Sequence, residues 1–84
     1  MNMSERPLSA LSAGDTATIT KLLCTDPAVR RRFLELGAVS GAPVTCLQRS
    51  PAGDPTAYLL CGAVLALRRE DAEHILVTGE VKSI

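Results

Sequence analysis

Only one stretch of this sequence carries a helical repeat of useful length, and punctuation confines it to residues 26–37. Asp26 can accept a backbone N–H as N-cap, and Pro27 at the first helical position gives up a donor that would be orphaned anyway. Val29, Phe33 and Leu36 fall at i, i+4 and i+7 and therefore share a face. Gly37 stands where a left-handed C′ residue is wanted, because it has no Cβ to clash. Downstream the chain is divided by Gly41, Pro43, Pro51, Gly53, Pro55 and Gly62 into pieces too short for a second long helix. One helix set among short strands is what such a chain can build.

The strands follow from alternation and turn chemistry. Residues 16–23 read as the first, with Ala17, Ile19 and Lys21 on one side and Thr18, Thr20 and Leu22 on the other. Residues 12–15 form a turn in which Gly14 can take positive φ. Residues 43–49 form the second strand, placing Val44, Cys46 and Gln48 on a common face. The segment 50–55, with two prolines and a glycine, is a hairpin loop. Residues 56–61 and 64–67 follow as strands around a Gly62-Ala63 turn, 69–73 as one exposed helical turn and 74–78 as the last strand. Before all of these, 7–11 forms a helical turn that tucks in Leu8 and Leu11, while 1–6 and 81–84 read as loose ends. In the third strand Ala57, Leu59 and Cys61 make the second face apolar as well, which points to extra burial or an oligomer contact through 56–61. The expectation is one domain over 1–84, with its core at about 8–78. It is mainly β with one α-helix, and its sheet is curled into a small, partly open barrel that shields most strand edges.

Composition limits function more than fold. A chain of 84 residues buries roughly 60–65% of its unfolded surface, enough for one modest core. Nine basic and nine acidic residues balance, and there is one Tyr, one Phe and no Trp. Neither the field nor the stacking platforms of a nucleic-acid binder are present. No signal peptide or membrane-spanning segment is visible, so a cytosolic chain is expected. Cys24, Cys46 and Cys61 are widely spaced, and in a reducing compartment they should stay reduced. A metal site built from them and His74 lacks the close-spaced ligand pairs of structural zinc centres, so no metal site and no cofactor are expected. No phosphate-binding glycine loop, Ser–His–Asp order or carboxylate pair occurs, which argues against an enzyme.

The ordered set Gly14-x-x-Ala17-x-Ile19, Arg30-Arg31-Arg32-Phe33-Leu34-Glu35-Leu36-Gly37, Gly41, Val44, the 50–55 loop, Gly62-x-x-Leu65-Ala66-Leu67-Arg68 and Ala72 resembles the FeoA family. These are the small cytosolic partners of the bacterial ferrous iron transporter FeoB. The likeness spans residues 8–77. It implies an SH3-like β-barrel, no catalysis, and an accessory role on the cytosolic, GTP-binding part of FeoB. The same domain type occurs at the C-terminus of DtxR-type repressors, so a regulatory module for a metal or a peptide is the alternative. No winged-helix segment precedes the domain here, and the transporter partner is the closer match. The sequence departs from the family pattern at Ser40, where a proline often precedes the glycine, and at Pro43.

Arg31, Arg32 and Glu35 on the helix, joined by Arg49, Arg68 and Arg69, are the candidate partner-binding residues. Successive arginines on a helix point about 100° apart, and Glu35 can pair with Arg31 at i+4 or Arg32 at i+3. They form either a solvated helix face or a patch that docks an acidic surface, for which the planar guanidinium fork is suited. The 50–55 loop carries the same two readings, hairpin chemistry or a pre-ordered contact.

Overall fold

A computed structural model describes residues 5–79. Six strands form one antiparallel sheet in the order β1-β6-β2-β3-β4-β5. They are β1 Arg6–Pro7, β2 Thr16–Leu22, β3 Pro43–Arg49, β4 Thr56–Leu60, β5 Ala63–Leu67 and β6 Ile75–Thr78. A 3-10 turn, Leu8–Ala10, follows β1. Helix α1, Pro27–Glu35, links β2 to β3, and the single turn α2, Arg69–Ala72, precedes β6. The architecture is the expected small, mainly β SH3-like barrel, left open because its edge strands β1 and β5 do not pair with each other.

Helix α1 begins and ends as its sequence requires. The Asp26 carboxylate accepts from the Ala28 N–H at 2.9 Å. At the other end Gly37 has φ 98°. The Gly37 N–H donates to the Leu34 carbonyl at 3.0 Å and the Ala38 N–H to the Phe33 carbonyl at 2.9 Å, a Schellman closure. Of the helix residues only Phe33 is buried. It joins Leu8, Leu11, Ile19, Val44, Cys46, Tyr58, Ile75 and Val77 in the core.

Two bulges decide which face each residue takes. The β2–β6 register slips between Ile19 and Lys21, so Thr20 is the extra residue and its hydroxyl donates to the Leu76 carbonyl at 3.2 Å. The slip resets the alternation, and Leu22 turns inward beside Ile75 instead of lying opposite Ala17 and Ile19 as simple alternation predicts. A second slip between Cys46 and Gln48 makes Leu47 the extra residue. Gln48 is therefore exposed opposite Ala57 and does not share the inner face of Val44 and Cys46.

Three boundaries also differ from expectation. Arg6 and Pro7 are not loose: they pair with Val77 and Leu76. The expected loose segments at 1–4 and 81–84 lie outside the described residues. Strand β4 stops at Leu60, and the β4–β5 turn is Cys61-Gly62, one residue earlier than expected. Both turn residues have positive φ, 52° and 80°. Such a turn matches the right-handed twist of the strands it joins, and Cys61 accepts an unfavourable backbone to provide it. His74 precedes β6, and its Nδ1 donates to the Glu70 carbonyl at 2.7 Å, since a carbonyl can only accept.

Candidate functional site: the cleft between helix and edge strand

The apolar face of α1 is only half used. Phe33 enters the core and Val29 is half-buried against it, but Leu36 keeps 37% of its surface exposed. Opposite them, Leu65 and Leu67 of β5 are also half-buried. Between these two rows lies an open cleft of about 290 Å³. Arg32 of α1 and Asp71 of α2 also line it. Its lining combines aliphatic and aromatic side chains with one charge of each sign.

The candidate arginines divide. Arg32 lines the cleft, whereas Arg31 is exposed on α1 without lining it. Arg30 is turned back, donating from Nη1 to the Leu22 carbonyl at 3.2 Å, and so fastens the helix to the end of β2. Glu35 is exposed, and among the described residues no ion pair joins it to Arg31 or Arg32, contrary to the spacing argument. Arg68 and Arg69 are exposed at the β5–α2 junction, between the cleft-lining Leu67 and Asp71. Arg49 pairs with Thr56, which pairs with Leu67. It therefore stands two strands, roughly 10 Å, from that junction at the same end of the sheet. Of the candidate arginines and Glu35, Arg32 is the one shown lining the cleft; Arg31 and Glu35 are exposed on α1, Arg68 and Arg69 are exposed beside its β5–α2 end, and Arg49 sits two strands away.

The loop 50–55 reaches the same region. The Asp54 carboxylate accepts from the Arg69 N–H at 2.8 Å and so holds the loop to the start of α2. Asp71, Leu65 and Leu67 are site residues that sequence reasoning did not single out. Val29, Phe33 and Leu36 were legible as one face, but nothing in their spacing says that part of it stays uncovered. Cys46 is buried, Cys24 half-buried and Cys61 exposed, and among the described residues no three His, Cys, Asp or Glu side chains converge as metal ligands. No helix among the described residues is long and apolar enough to cross a membrane.

Comparison with known proteins gives the chain a family. The family model for the FeoA domain matches residues 6–79. The chain belongs to the FeoA family. A curated relative, the Fe(2+) transport protein A/Fe(2+) transporter FeoB fusion protein of Porphyromonas gingivalis, is 40% identical over 70 residues. That match takes in 83% of this chain and 8% of the fusion protein's length. The solution structure of FeoA from Chlorobium tepidum is 44% identical and superposes with a TM-score of 0.80, covering 86% of this chain and 68% of that one. A zinc-complexed FeoA of Stenotrophomonas maltophilia, described as an SH3 domain protein, is 30% identical with a TM-score of 0.75, covering 84% of this chain and 87% of that one.

Proposed function

We propose that this FeoA chain is a non-catalytic accessory protein of ferrous iron uptake. It binds the cytosolic GTPase part of a FeoB-type transporter, sits at the inner face of the membrane through that partner, and docks through the cleft between α1 and β5. The observation that carries the reading is the Porphyromonas gingivalis relative, which unites FeoA and FeoB in one polypeptide. Such a fusion holds two domains at high effective concentration, the arrangement expected of domains that act on each other. The cleft supplies what a protein partner needs: half-buried leucines and Arg32 on its walls. Modulation then follows from differential affinity. A module that binds one nucleotide state of the GTPase more tightly than another shifts its population, and one with equal affinity shifts nothing.

Co-purification of the tagged protein with full-length FeoB from detergent-solubilised membranes tests the reading. Wild type is expected to retain FeoB, and an Arg31→Glu, Arg32→Glu variant, shown by circular dichroism to be folded, is expected to lose it. Equal retention of both would move the site off the helix, to the 50–55 loop or to β4. Failure of wild type to retain FeoB would count against the partner.

A further inference from the structure

The form in which the partner is recognised can be inferred as well, and this inference rests on the transporter-docking reading above. Strand β5 pairs with β4 over five uninterrupted positions and has no strand on its other side. Half of its N–H and C=O groups therefore point out of the sheet. The opposite edge, β1, is two residues long and contains Pro7, both devices that blunt an edge. Strand β5, Ala63-Val64-Leu65-Ala66-Leu67, has no proline, no charge and no bulge. Leu65, Ala66 and Leu67 all line the cleft, although alternate side chains point to opposite faces of a strand. No residue of β4 lines it. The gap thus runs along the outer side of β5, with α1 as its far wall.

We propose that this gap receives an extended segment of the transporter as a seventh strand, paired to β5 and flanked by α1. A cleft of about 290 Å³ accommodates a short run of main chain and one large aliphatic side chain. The aliphatic side chain meets Val29, Phe33 and Leu36 on the helix wall. Arg32 stands in the same wall and Asp71 at the end of β5, and among the described residues neither is held in an ion pair. The segment that complements them carries an acidic residue near its aliphatic anchor, to face Arg32, and a donor to face Asp71. Backbone pairing supplies affinity and the two side-chain positions supply selectivity, as in other strand additions. A second copy pairing through its own β5 is a poorer occupant, because that strand carries no acidic residue to face Arg32.

Amide hydrogen exchange of the isotope-labelled full chain, with and without the purified cytosolic part of FeoB, tests the mode. Strand addition should slow alternate amides within 63–67 by about tenfold or more, because only every second N–H points outward. Arg32→Glu, with an unchanged spectrum when free, should remove that protection. Binding seen elsewhere in the spectrum while 63–67 exchange as before would overturn strand addition and leave the transporter reading intact. No binding at all would overturn both. Protection of 63–67 that appears on raising protein concentration without FeoB would assign the edge to a second copy, and would overturn the proposal too.

Discussion

Single residues in this protein are constrained most tightly where the end of α1 meets the β4–β5 turn. A Cβ placed on Gly37 would lie 2.5 Å from Cys61 Sγ and 3.2 Å from Cys61 Cβ. The Cys61 thiol itself rests 3.7 Å from the Gly37 carbonyl. Gly37→Ala therefore meets two obstacles, a left-handed backbone and a steric collision. Its destabilisation is expected at about 2–3 kcal/mol in urea unfolding. In a Cys61→Gly background the collision is gone and the loss should fall to the backbone share of about 1–2 kcal/mol. An unchanged loss in that background would show that the contact between Gly37 and Cys61 has no energetic weight. Gly37 was legible from sequence as a helix C′ residue, but its pairing with a cysteine 24 positions away was not.

Helix α1 is held by few contacts, chiefly the buried Phe33, the half-buried Val29 and the Arg30 guanidinium tie to Leu22. Phe33→Ala should cost about 3–5 kcal/mol, lowering the melting temperature by more than 10 °C at roughly 4–8 °C per kcal/mol for a domain of this size. Phe33→Leu, which keeps most of the volume, should cost under half as much. Equal effects from the two would mean that the helix is not anchored through this ring. Loop 50–55 is tied to α2 by the Asp54 carboxylate, which accepts from the Arg69 N–H. Asp54→Ala should cost about 0.5–1.5 kcal/mol, and faster exchange at the Arg69 amide would locate the loss. An Arg69 amide that exchanges at the wild-type rate would rule that hydrogen bond out as the fastening.

At the scale of the whole molecule the N-terminal segment does more than its composition suggests. Leu8 and Leu11 are each 1% exposed, and Arg6 and Pro7 extend the sheet beyond β6. A chain lacking residues 1–11 loses two core leucines from a domain whose total stability is of the order of 5–10 kcal/mol. It is expected to show no cooperative thermal transition by circular dichroism. A melting temperature within a few degrees of wild type would show that the segment is dispensable.

Local interactions were readable in the sequence because they close within a few residues. The Asp26 cap, the Gly37 stop, the turns and the short strands all belong to that class, and together they specify one helix on a small open barrel. What only the tertiary structure decided depends on partners far along the chain. Register across the sheet set the bulges at Thr20 and Leu47, and with them the inward turn of Leu22 and the outward turn of Gln48. The packing of α1 beside β5, across more than 25 residues, left Leu36, Leu65 and Leu67 partly uncovered and drew Arg32 and Asp71 to one cleft. Periodicity says which side chains share a face. Only the distance between two packed elements says how much of that face remains open to a partner.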